Sequence, residues 1–205
     1  MDEFSYLTVD GTTEGLYKEK GSKFISFVFP VASEEEAKGH LESIRKQFHD
    51  ARHHCFAWII GPGKSLYRAS DDGEPNHSAG DPILGQLRSK NLTNVMAVVV
   101  RYFGGTKLGV GGLIVAYRSA TQDALEKAII VEKEIAETVT LKYNYAYTSE
   151  AMRLVKDFDL TILSQDFQSE CTLKTSIKLK WKDDFVEKTR LLNATGTSIN
   201  VEWSE

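Results

Sequence analysis

The chain has 205 residues, 41% of them hydrophobic, and a formal net charge of −4. That length holds one large domain or two small ones around a substantial core, and the charge excludes the strongly basic footprint of a general nucleic-acid binder while leaving room for a local basic patch. The acidic, polar start has no signal-peptide pattern and no apolar run approaches the ~20 residues of a membrane span, so a cytoplasmic protein without membrane contact is expected.

In chain order, residues 23–31 (KFISFVFPV) read as a strand ending near Pro30. Ser33 and Glu36 form a capping box that starts a helix to about Phe48, with Ala37, Leu41, Ile44 and Phe48 on one face. Residues 54–60 read as a strand turned by Gly61-Pro62-Gly63, and residues 65–69 as its hairpin partner. Asp81-Pro82 reads as the cap and first position of a helix ending near Lys90. Residues 95–102 are almost wholly apolar and β-branched, as suits a central strand covered on both faces. A helix is expected over residues 113–128, giving this half an alternating, α/β-like element order.

Beyond a boundary placed near Lys133, the pattern changes. Residues 137–145 alternate as a strand, Ser149 caps a helix to about Phe158, and residues 160–167 and 171–181 form a hairpin. Asp183 caps a second helix and residues 197–203 are a last strand. This βαββαβ order is that of a split-βαβ, ferredoxin-like domain. Cys55 and Cys171 each lie inside an apolar run and read as reduced, buried thiols of a reducing compartment.

Two motifs carry possible chemistry. The first is Gly104-Gly105-Thr106-Lys107-Leu108-Gly109-Val110-Gly111-Gly112. It joins the apolar strand of residues 95–102, with Arg101 just before the loop, to a helix, which places backbone N–H groups where an anion is favoured. It lacks the Gly-Lys-Ser/Thr of a Walker loop and the spacing of a dinucleotide fingerprint. A ligand-free turn, contact with a phosphate backbone and a small-anion site all remain open. The anion-binding candidates are Arg101, Gly104, Gly105, Lys107, Gly109, Gly111 and Gly112, with Arg118 in the following helix.

The second motif is the acidic turn Ser70-Asp71-Asp72-Gly73-Glu74-Pro75. It fits neither an EF-hand nor a zinc-protease pattern, so no metal and no cofactor is expected. Its carboxylates are read as accepting backbone N–H bonds or pairing with Arg68 or Arg101. Neither Ser70 nor Ser78 lies in a nucleophile elbow, and no catalytic residue is assigned. Secondary candidates are His54, Arg68, Asp71, Asp72 and Glu74. Lys178, Lys180 and Lys182 join them, read as one face of a strand that either guards a sheet edge or contacts phosphates, with a bulge near Thr175.

A set of motifs in order then resembles a known family. They are His54-Cys55-Phe56-Ala57, the acidic turn, Ala79-Gly80, Pro82-Ile83-Leu84, Leu92-Thr93-Asn94-Val95, Val100-Arg101-Tyr102-Phe103-Gly104-Gly105, Lys107-Leu108-Gly109 and Gly111-Gly112-Leu113. Over roughly residues 15–130 the chain is similar to the IMPACT family, bacterial YigZ-like branch; Asn76-His77-Ser78 departs from the Ser/Gly-Thr run more usual there. The resemblance implies an α+β protein of two domains. Residues 1–133 would be like the second domain of ribosomal protein S5, and residues 134–205 like the ferredoxin-like last domain of elongation factor G. It further implies a non-enzymatic role in translational regulation through RNA or ribosome binding. Alternatives are an adaptor for a protein partner, as in eukaryotic relatives, and an enzyme acting on a nucleotide or phosphorylated metabolite.

Overall fold

The computed structural model describes residues 3–168 and 170–204. It contains helices and sheets in two compact units, one spanning Tyr6–Lys133 and one that begins at Glu134 and takes in the described residues before Tyr6. The elements of the first, apart from one end residue each of β1 and β7, are β1 (Ser5–Val9), β2 (Thr13–Glu19), β3 (Ser22–Pro30), α1 (Glu34–Gln47), β4 (His53–Ile60), β5 (Leu66–Ser70), α2 (Gly80–Ser89), β6 (Val95–Tyr102), α3 (Gly109–Lys127) and β7 (Ile130–Glu134).

Strands β2-β3-β6-β4-β5 form one sheet, and every pairing in it is antiparallel. The alternating order had pointed to an α/β arrangement. The sheet corrects this: β3 and β4, joined by α1, both run antiparallel to β6 between them. Strand β6 alternates between two cores. Val95, Ala97 and Val99 face α2 and α3, while Met96, Val98 and Val100 face α1. Each fully buried aliphatic side chain contributes about 2 kcal/mol, so this strand anchors both layers. Strands β1 and β7 pair with each other; neither they nor β2 had a clear enough alternation to be read from sequence.

Local signals fixed the start of α1. Ser33 Oγ accepts the N–H of Glu36 at 3.2 Å. The Glu36 carboxylate reaches one residue further back than a strict capping box, accepting the Ala32 N–H at 2.7 Å. For α2 the expected cap is corrected: the helix begins at Gly80, and Asp81 lies inside it. Helix α3 also begins earlier than expected, so Gly109, Gly111 and Gly112 belong to its first turn and the loop proper is short.

The second unit contains β8 (Ala136–Tyr143), α4 (Thr148–Asp157), β9 (Thr161–Phe167), β10 (Cys171–Lys178), α5 (Lys182–Ala194) and β11 (Ile199–Trp203). Its antiparallel sheet has the order β11-β8-β10-β9. Core residues Leu141, Leu173, Ile177, Leu154 and Phe185 pack between the sheet and its two helices. Ser149 and Asp183 do not cap α4 and α5, whose cap positions are Tyr147 and Trp181. Strand β10 ends at Lys178, where a 3-10 turn over Leu179–Trp181 follows, so Lys180 and Lys182 are not on it. It is also an inner strand, which removes the edge-guarding role. The register against β9 shifts between Lys174 and Thr175. Ser164 pairs with Lys174 and Ile162 with Thr175, so the extra residue of the bulge is Leu163 on β9.

Candidate functional site

Strand β6 ends by turning the Arg101 side chain into the interior beside α3. Its Nη1 donates to both Glu74 oxygens, at 2.6 and 2.9 Å. Both partners are buried, at 8% and 4% side-chain exposure. The Tyr117 hydroxyl, near the middle of α3, donates to Glu74 Oε1 at 2.7 Å. Cys55 Sγ lies 3.3 Å from that hydroxyl and 3.0 Å from the Asp71 carbonyl. Burial pushes the Cys55 thiol and the Tyr117 phenol well above their ordinary values, so both stay protonated and act as hydrogen-bonding groups. The Arg101 guanidinium carbon lies 5.5 Å from the Phe24 ring centre and 5.7 Å from that of Phe103. Its Nε is buried and has no hydrogen-bond partner among the described residues.

The acidic turn is held from within. Asp71 accepts backbone N–H bonds from His77, Ala79 and Gly80 at 2.8, 2.9 and 2.8 Å. Burial works to raise its pKa, but these donors outweigh it and hold the carboxyl below the ordinary range. Asp72 accepts the His54 N–H at 2.7 Å and Arg45 Nη2 at 2.9 Å. His53 Nδ1 donates to the Asp72 carbonyl at 2.9 Å, and His54 Nε2 to the Phe48 carbonyl at 3.1 Å.

Above this interior lies a cleft of about 860 Å³, lined by Arg52, His53, Arg101, Phe103 and Lys107 and by the first residues of α3. The N-terminal N–H groups of a helix have no intrahelical acceptor and carry the positive end of its dipole. At α3 the cap position, Leu108, supplies no side-chain bond and the first turn holds no acidic residue. Phe103 is 55% exposed on the rim. The Gly104 amide is already taken, donating to Ser22 Oγ at 3.0 Å. A side chain at Gly104 would put its Cβ 1.9 Å from the carbonyl carbon of Gly21, so this glycine serves close backbone packing.

Residues 20–125 match the Impact N-terminal domain family. The chain belongs to the IMPACT family. It is 38% identical to the IMPACT family member YigZ of Escherichia coli over 77% of this chain and 78% of that one. With the IMPACT family member YvyE of Bacillus subtilis it shares 32% identity over 92% and 88% of the two chains. A crystal structure of a hypothetical protein superposes over 100% of this chain and 99% of that one, with TM-score 0.78 and 32% identity.

In this IMPACT family chain the expected site residues separate into groups. Arg101, Lys107 and Gly109 line one cleft, with Gly105 in the short loop leading to it and Gly111 and Gly112 in the adjoining helical turn. Arg118 lines a different depression, with His77 and Asp81. Arg68 lines a third, beside α1. In the second unit Lys178 pairs with Glu134 at 3.0 Å and Asp159 at 3.3 Å, Lys180 pairs with Glu134, and Lys182 pairs with Glu137 at 2.6 Å. Arg52, Phe103 and Tyr117 were not among the candidates. Tyr117 was readable only as core, and an isolated exposed aromatic such as Phe103 leaves no periodic signal. No helix among the described residues is long and apolar enough to cross a membrane.

Proposed function

We propose that this protein is a cytoplasmic, non-enzymatic RNA-binding protein linked to translational control, and that it engages single-stranded RNA, free or on the ribosome, at the cleft where α3 begins. The observation that carries the reading is the α3 N-terminus, without an acidic residue in its first turn, facing a cleft with Lys107, Arg52 and the exposed Phe103. A phosphate would lie on the first α3 amides with Lys107 and Arg52 beside it, and a base on Phe103. Exposed aromatics stack bases without sequence preference, and helix N-termini and cations take phosphates. The acids of the Asp71–Glu74 turn are each engaged by internal donors, which favours a binding role over acid–base chemistry.

The fold assignment that accompanies this reading is an S5 domain 2-like first unit and a ferredoxin-like second unit, with the domain boundary at residue 133. Its support is the β3-α1-β4 crossing with β6 between the two strands, and the β11-β8-β10-β9 order of the second sheet. Both folds occur in translation factors, which is an analogy of fold.

The test is anisotropy of a labelled single-stranded RNA titrated over a range of salt. Affinity falls steeply with salt, Lys107→Ala weakens it, and Arg118→Ala leaves it unchanged. Affinity that ignores both salt and Lys107→Ala overturns the reading.

A second reading, an adaptor for a protein partner, draws on β9. This edge strand is exposed along its whole length and carries Ile162, Leu163 and Phe167 outward. An extended partner segment would pair with its free edge. Partner capture that survives nuclease treatment but is lost in Leu163→Lys favours it.

A further inference from the structure

We infer that the cleft at the start of α3 takes a terminal phosphomonoester together with its one nucleotide, and so recognises the end of an RNA strand instead of its running backbone. This rests on the RNA-binding reading above and adds the class of group bound.

The donor that points to it is Arg101. Its side chain is 8% exposed, it lines the cleft, and its Nε–H has no partner among the described residues while Nη1 is held by Glu74. A phosphodiester inside a continuous strand must enter and leave a site along both of its ester bonds. A donor covered this deeply admits that path poorly, whereas the end of a strand needs only one way in. The exposed ring of Phe103 stands beside this donor, its centre 5.7 Å from the guanidinium carbon. This ring offers the terminal base a stacking surface beside the guanidinium.

Charge points the same way. Glu74 balances Arg101, and Asp50, whose carboxylate accepts the Tyr102 hydroxyl at 2.7 Å, also lines the cleft. Lys107 and Arg52 then exceed Asp50 by one charge, to which the α3 dipole adds about half a charge. A phosphomonoester carries about −1.5 to −2 charges at neutral pH, against one for a diester, and matches that surplus better. Volume agrees: about 860 Å³ lies within the roughly 300–1,000 Å³ of small-molecule sites, which suits a nucleotide.

The experiment is competition against one labelled RNA by three unlabelled oligoribonucleotides of a single sequence, ending in a 5′-phosphate, in a 3′-phosphate, or in hydroxyls at both ends. A direct titration with a nucleoside monophosphate accompanies it. One phosphorylated form should compete at least tenfold better than the hydroxyl-ended form, and which one identifies the end. The preference should vanish in Lys107→Ala and in Arg101→Lys, which keeps the charge beside Glu74 but lacks Nε. Should Arg101→Lys melt at a much lower temperature than the parent, Lys107→Ala decides alone. Equal competition by all three forms overturns the inference, while salt-dependent binding of the labelled RNA would still uphold the RNA reading. A monophosphate that binds where no oligonucleotide does overturns both the strand-end inference and that reading and leaves a nucleotide site. Binding of neither overturns both.

Discussion

The carboxylate of Asp71 and the amide of Gly80 meet at 2.8 Å at the start of α2, nine residues apart in the chain. The same oxygen accepts the Ala79 N–H at 2.9 Å, and the other accepts His77 at 2.8 Å. Asp71 therefore caps a helix from outside it and ties the acidic turn to the α2 N-terminus.

Asp71→Ala removes this cap and leaves three amides without their acceptor. The expected loss is about 2 kcal/mol, at the upper end for helix caps, read as a lower urea midpoint with an unchanged slope. The pH dependence has a definite sign. The folded-state pKa is depressed, so the carboxylate's contribution is full above its unfolded value near 4 and is lost as pH falls through the folded value. The stability gap between the parent and Asp71→Asn should narrow below pH 4 and stay constant from pH 5 to 7.

This cap also marks what the sequence could and could not disclose. Ser33 was legible as a cap because its partner, Glu36, is three residues away. Asp71 was not, because a chain-distant cap has no fixed spacing and Asp81-Pro82 offers a stronger local pattern. Strand β6 was legible because a strand buried on both faces is apolar throughout. The first turn of α3 was hidden because glycine reads as loop, although the anchoring helix beyond it was clear. Lys107 and Arg101 were singled out from their places inside and just before that loop, whereas the Arg101 turn toward Glu74 was only one of several pairings the residues allowed. The lysine row misled because period-two spacing persists in sequence after the backbone has left the strand at Lys178.

The buried Arg101–Glu74 pair gives a second prediction. Glu74→Gln leaves a buried guanidinium without its counter-charge, a change that costs about 3 to 5 kcal/mol. Tyr117→Phe removes one donor to the same carboxylate, at about 2 kcal/mol. Because both variants act on one carboxylate, their effects should not add. A double-mutant cycle by chemical denaturation should show a coupling of about 1 kcal/mol or more.

At Gly104 the constraint is steric. Its missing side chain lets the loop lie against Gly21 and Ser22, where a Cβ would stand 1.9 Å from the Gly21 carbonyl carbon and 2.1 Å from the Ser22 nitrogen. Both neighbours are backbone and cannot swing aside. Gly104→Ala should cost about 3 kcal/mol, as overpacking does. It should also weaken RNA binding by displacing the loop that precedes Lys107. Gly105→Ala would test the separate contribution of a positive φ of 88°, and its smaller effect of about 1 kcal/mol should leave binding closer to the parent.

The lysines of the second unit should be silent in RNA binding. Lys178 and Lys180 share Glu134, and Lys182 is taken by Glu137. The Glu134 carboxyl is held low, chiefly by its hydrogen bonds to Lys180 and Lys178, so it remains ionised at neutral pH and offsets their charge. A phosphate approaching these lysines would meet that carboxylate as well. Lys180→Ala and Lys178→Ala should therefore leave both the affinity and the slope of log affinity against log salt unchanged. Lys107→Ala should reduce that slope by about one. Measuring the variants on one RNA over one salt series separates the α3 cleft from the second unit. A drop in slope for Lys180→Ala equal to that for Lys107→Ala would move the phosphate contacts away from the cleft.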